Sequence, residues 1–172
     1  MTDSHEAELS SKRLRGASTF QLLHWMAGGR VAPSRLCAIY EAAIAEENGA
    51  LNAFVALDKT VSRDAGASDQ RRSAGKLIGR LDSVAVAIKD NIDVAGLPTS
   101  LGLAGRATRV AVSDATVVAR LRSAGAIILG KTAVDEGALG TTGTTASSGP
   151  TRNPHRSEFI AGGSSAGSAA AV

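Results

Sequence analysis

Apolar residues fall at helical spacing through the first part of the chain and in short strand-sized runs later. Residues 20–26 read as a first helix stopped by Gly28-Gly29. A second helix is better specified. Pro33 suits a first turn, Leu36, Ile39, Tyr40, Ala43 and Ile44 share one face, and Asn48-Gly49 supplies a stop. Residues 51–57 read as a strand, and 59–74 as a polar helix leading into Gly75. Residues 1–17 are polar and aperiodic, which predicts a loose tail.

Further along, strand and helix signals alternate. Residues 84–88 form a β-branched run. Residues 114–124 set Val117, Val118 and Leu121 on one helical face and end at Gly125, and 126–129 contain no polar residue. Thr132 followed by Asp135 resembles a capping box that opens a short helix to Leu139. This order predicts an α/β architecture with a largely buried sheet. The stretch 140–148 is almost wholly Gly, Thr, Ser and Ala, a long loop of the kind that carries function more often than not.

Composition narrows the classes without choosing one. The chain has 172 residues, 44% hydrophobic and 20% charged, which is globular and sufficient for a core. No apolar run approaches the roughly 18 residues of a membrane span. The net charge of +3 arises in residues 101–172, where Phe159 is the sole aromatic, so a nucleic-acid groove with stacking rings is not expected. Cys37 lies on the apolar stripe of its helix and reads as a small core residue. The mixed-charge N-terminus has no signal-type apolar segment, so a cytoplasmic protein is expected, with neither metal nor cofactor. The last residues, 165–172, stop without a cap or polar tail, which predicts an ending inside a larger unit.

Three motifs compete for the chemistry. Gly125-Ala-Ile-Ile-Leu-Gly130-Lys131-Thr132 matches the phosphate-loop pattern, but its four variable residues are the predicted strand. A buried strand cannot also wrap a phosphate, so the segment reads as a helix stop, a core strand and a helix start at Lys131-Thr132. Gly163-Ser164-Ser165-Ala166-Gly167 matches a nucleophile elbow centred on Ser165, the mark of an α/β-hydrolase esterase. The third is Lys89, at the end of an apolar strand, together with the turn Gly162-Gly163-Ser164-Ser165 before an Ala-rich stretch. Withdrawing an ammonium from water favours the neutral amine, which can take a proton from a hydroxyl. A turn of small residues permits close backbone approach and offers amides to a carbonyl group.

Taken together, these segments resemble the amidase signature family. Ala87-Ile-Lys-Asp-Asn-Ile-Asp93 is similar to its lysine segment, followed by Gly96-Leu-Pro-Thr99. The helix and strand from Asp114 to Thr132, then Gly149-Pro-Thr-Arg-Asn-Pro154 and Gly162-Gly-Ser-Ser-Ala-Gly-Ser168, continue the pattern in order. The resemblance implies the N-terminal part of the amidase-signature fold: a mixed central sheet covered by helices and incomplete in this chain. Residues 1–31 would form the tail and first helix, and 32–172 the truncated amidase domain. It implies a Ser-cisSer-Lys triad hydrolysing a small-molecule amide. Lys89 would be the base, Ser164 the relay after a cis peptide, and Gly162, Gly163 and Ser165 the oxyanion or substrate loop. The nucleophile would lie beyond Val172, leaving this chain inactive by itself, a remnant or a non-catalytic subunit needing an oligomeric or amidotransferase-type partner. One departure stands out. Where the family has Gly-Pro-Leu-His-Gly-Ile-Pro, this chain has Gly79-Arg-Leu-Asp-Ser-Val-Ala85, without the prolines, the histidine and the second glycine at the entry to the lysine strand.

Overall fold

The computed structural model describes residues 9–172. Of the N-terminal segment expected to be loose, 1–8 lie outside the described residues, while Leu9 and Leu14 are buried. Helix α1 (Ser11–Arg15) is opened by the Ser10 hydroxyl, which accepts from the Arg13 amide. Periodicity missed it because a helix of five residues offers one apolar position, Leu14, among basic neighbours. Helix α2 (Thr19–Ala27) carries a reciprocal capping box between Ser18 and Gln21. Leu22, Trp25 and Met26 from α2 join Leu9, Leu14, Val31 and Leu36 in one apolar cluster.

Helix α3 (Pro33–Leu51) runs past the expected stop at Asn48-Gly49. The reason is that Asn48 is occupied elsewhere: its side chain donates to the Phe54 carbonyl and accepts from the Phe54 amide. The helix ends instead at Asn52, whose left-handed conformation (φ 51°) suits an asparagine. Strand β1 (Phe54–Leu57) and helix α4 (Val61–Ser73) follow. Strand β2 (Ala85–Lys89), helix α5 (Thr116–Ser123) and strand β3 (Ile127–Thr132) complete a strand, helix, strand unit.

The sheet has the order β1-β3-β2, with β1 antiparallel and β2 parallel to the central β3. It is therefore mixed, as expected. Every residue of β3 is buried, Lys131 and Thr132 included, so these two continue the strand and do not start a helix. On one face Cys37, Phe54, Val61, Ile127 and Leu129 pack with Ala85 and Ala87; on the other, Ile88, Val94, Leu97, Val118 and Ile128 pack with Val86. Val118 is the buried anchor of α5, whereas Val117 is 48% exposed and lies off the core face. The capping box expected at Thr132 and Asp135 is absent. A short 3₁₀ turn (Glu136–Ala138) stands there, and the Asp135 side chain makes no cap bond to it. Helix α6 (Ala166–Ala171) closes the chain.

Candidate active site

Alternation along β2 sends Ile88 into the core on the α5 side and puts Lys89 on the face shared by Ala85 and Ala87. Lys89 is the last residue of the strand and is half-buried opposite Thr132 of β3. Its ammonium Nζ donates to the Ser164 hydroxyl Oγ at 2.8 Å, across 75 positions of sequence.

Ser164 is brought there by α6 and the turn before it. The Gly167 amide donates to the Ala133 carbonyl at 3.1 Å, just past the end of β3. A Cβ on Gly167 would stand 2.2 Å from the Ala133 nitrogen and 2.3 Å from the Ala53 oxygen, so only glycine lets the helix seat on the sheet. The peptide between Gly163 and Ser164 is cis. The Ser164 carbonyl accepts from the Asp135 amide at 3.1 Å. One turn later, Ser168 shares a 2.8 Å hydrogen bond with the buried Thr132 hydroxyl. Ser165 is exposed and stands at the N-cap position of α6 without a capping bond. No strand leads into it among the described residues: the preceding segment makes a single bridge, Arg152 to Ile160, so elbow geometry is lacking. Gly162, at φ 81°, faces open space.

Behind the strand end lies a buried polar network that sequence reasoning did not find. Lys131 is fully buried and donates to the Asp90 carboxylate (2.9 Å), the Pro98 carbonyl (2.8 Å) and the Thr99 hydroxyl (3.0 Å). All three of its protons are used, which is how a buried ammonium is tolerated. Asp90 also accepts from the Ser100 amide and hydroxyl, so the network ties the segment after β2 to β3. This explains why the phosphate-loop match carries no phosphate chemistry: its lysine is consumed inside the sheet. A signal was present in the sequence, since a lysine closing a wholly apolar strand needs an acid partner.

Two buried carboxylates are shifted downward. For Asp82, burial pushes the pKa up, but hydrogen bonds from Arg71, Ser68 and the Ile78 amide outweigh it and hold the value to about 2. For Asp135, burial again pushes upward, and bonds from the Gly143 and Thr145 amides, the Thr145 hydroxyl and the Thr142 amide prevail. Cys37 goes the other way. Burial, with Glu41 and Asp69 nearby, pushes its thiol up to about 12, so it is an inert core residue. Among the described residues no group of His, Cys, Asp or Glu could hold a metal ion, and no helix is long and apolar enough to cross a membrane.

Fold and site together define a mixed α/β protein in which a strand-end lysine meets the serine of a Gly-Gly-Ser-Ser turn. The family profile for Amidase matches residues 36–172, and the chain belongs to that family, the amidase-signature proteins. Among its relatives, AtzE, the 1-carboxybiuret hydrolase subunit of Pseudomonas sp. (strain ADP), is 39% identical over 90% of this chain and 34% of its own. A glutamyl-tRNA(Gln) amidotransferase subunit from Salinibacter ruber is 45% identical over 71% of this chain and 24% of its own. Among solved structures, the native peptide amidase of Stenotrophomonas maltophilia superposes with a TM-score of 0.81 at 36% identity, over 88% of this chain and 32% of that one. Another belongs to a vestigial protein complex bearing on the origins of an s-triazine catabolic enzyme. It superposes with a TM-score of 0.86 at 37% identity, over 91% of this chain and 35% of its own. The chain thus spans a quarter to about a third of the length of these relatives.

Proposed function

We propose that this chain carries the lysine and relay-serine half of an active site that hydrolyses carboxamide carbon–nitrogen bonds. The observation that carries the reading is the 2.8 Å bond between Lys89 Nζ and Ser164 Oγ. In this relay Lys89 Nζ takes the Ser164 proton while Ser164 Oγ takes that of a second, attacking serine. On this reading that serine belongs to a polypeptide of the relatives' length and not to these 172 residues. Its oxygen adds to the amide carbonyl, the protonated Lys89 returns its proton through Ser164 to the departing nitrogen, and water then releases the acyl group. Gly162, Gly163 and Ser165 are assigned to the loop that faces the substrate beside the relay. The substrate class proposed is a small carboxamide.

A second reading, in which the chain works with a partner polypeptide, is favoured by two relatives being named as subunits and by one solved structure being a complex. The two readings are compatible.

Turnover of acetamide and benzamide tests the proposal. The 172-residue chain is expected to release no ammonia. In a polypeptide extended to the length of the relatives, Lys89→Ala and Ser164→Ala are each expected to lower kcat by about a thousandfold or more. Undiminished kcat in either variant overturns the assignment, and amide turnover by the short chain overturns the placement of the nucleophile.

A further inference from the structure

Asp135 is 1% exposed, and none of its bonds belongs to the helix cap that its sequence context suggests. Carboxylate oxygen Oδ2 accepts from the Gly143 amide at 3.0 Å. Oδ1 accepts from the Thr145 amide at 3.1 Å and the Thr145 hydroxyl at 3.0 Å. The small-residue loop 140–148 is thereby wrapped around one side chain. The same residue meets the relay serine from two directions: its amide donates to the Ser164 carbonyl, and its Oδ2 sits where Gly163 would carry a side chain, 2.1 Å from the ideal Cβ position. Gly143 closes the ring, because a Cβ there would stand 2.7 Å from both the Gly162 carbonyl and the Ala166 methyl.

We infer that Asp135 is a positioning residue for the Lys89–Ser164 pair, its carboxylate locking loop 140–148 and the Gly162–Ser164 turn into one unit that aims Ser164 Oγ at Lys89. The significance of that aim rests on the function proposed above; the mechanical link does not. Asparagine at this position keeps the shape but has a single acceptor oxygen. Either the Gly143 amide or the Thr145 pair would then face an NH₂ group, a buried donor against a donor. The loop must move to relieve it, and Gly163, packed directly on Oδ2, moves with it.

The test is the side-chain ¹⁵N signal of Lys89 in the lysine-labelled 172-residue chain, with Lys131 as internal control. Lys131 is held by Asp90, Pro98 and Thr99, whereas the bonds of the Asp135 carboxylate go to Gly143 and Thr145. Ser164→Ala removes the acceptor and sets the direction in which the Lys89 signal moves when the bond is lost. Asp135→Asn is expected to move it in the same direction and by a comparable amount while Lys131 stays in place. If Ser164→Ala moves Lys89 and Asp135→Asn does not, or if Asp135→Asn moves both lysines alike, Asp135 only supports the fold and the inference fails. If Ser164→Ala itself leaves Lys89 unmoved, the proposed function falls as well, so the two failures are distinct. Should Asp135→Asn not fold, Thr145→Val decides. It removes the Thr145 hydroxyl, which donates to Oδ1 and accepts from the Glu136 amide, and is expected to shift Lys89 in the same direction to a smaller extent; no shift overturns the inference.

Discussion

Gly167 shows how one residue type sets the site. The turn that carries Ser164 is far from β3 in sequence, yet α6 must lie against Ala133 and Ala53 closely enough for its backbone to bond to that of Ala133. Gly167→Ala would put a methyl group 2.2 Å from the Ala133 nitrogen and 2.3 Å from the Ala53 oxygen, both main-chain atoms that cannot swing aside. Overpacking a close contact costs about 1–3 kcal/mol, and a backbone neighbour on each side puts this case toward the upper end. Gly167→Ala is therefore expected to lower stability by about 2–3 kcal/mol in a urea titration and to abolish the Lys89–Ser164 bond. Unchanged stability would mean that α6 is not seated as described.

Elements with a repeating apolar pattern were legible in the sequence. Helices α2 to α5 and the three strands all lie within or across segments where spacing and breakers predict them, and Lys89 and Ser164, both singled out in the sequence, are hydrogen-bonded. What escaped were positions whose partners are remote. Asp135 reads locally as a capping residue, but its acceptors are spent on a loop eight to ten positions later. Lys131 reads as a polar helix start, but its counter-ion Asp90 sits on the neighbouring strand's extension. The departure before β2 has a similar resolution. Ser83 stands where the family has glycine and adopts φ 81°, and its hydroxyl is held by Ser68 and Arg72. Asp82, where the family has histidine, is fully buried and takes a two-point bond from Arg71 of α4. The Arg71–Asp82 ion pair thus clamps the segment before the lysine strand to α4. Because the folded chain holds the Asp82 pKa to about 2 against an ordinary 3.8, the folded state binds this proton less tightly than the unfolded one. The clamp's contribution, on the order of 2 kcal/mol, is complete above that ordinary value and is lost as pH falls toward 2. Asp82→Asn is expected to remove this part of the acid limb from a stability-against-pH curve and to lower stability at neutral pH. A variant whose acid limb matches the parent would show that Asp82 does not clamp β2.

At the scale of the molecule, the two faces of the sheet are unequal. Helix α5 and the segment carrying Val94 and Leu97 close one side over Ile88 and Ile128. On the other, a cleft of about 840 Å³ runs between α2, α3 and the sheet, lined by Leu23, Ile44, Ala85 and Ala87 among others, and opens beside Ala171 and Val172. Among the described residues the sheet has three strands, so β1 and β2 are both edges, with backbone groups available for pairing. An open apolar cleft bordered by sheet edges favours association, because burying apolar area contributes about 25 cal/mol per Å². The net charge of only +3 gives little repulsion to oppose it. The isolated 172-residue chain is accordingly expected to self-associate as its concentration rises, with the association weakened by a Leu23→Lys substitution in the cleft. Sedimentation velocity across a concentration series separates the outcomes. A single monomeric species throughout, melting cooperatively, would show that cleft and edges are closed in solution, and the unequal packing of the two faces would be wrong.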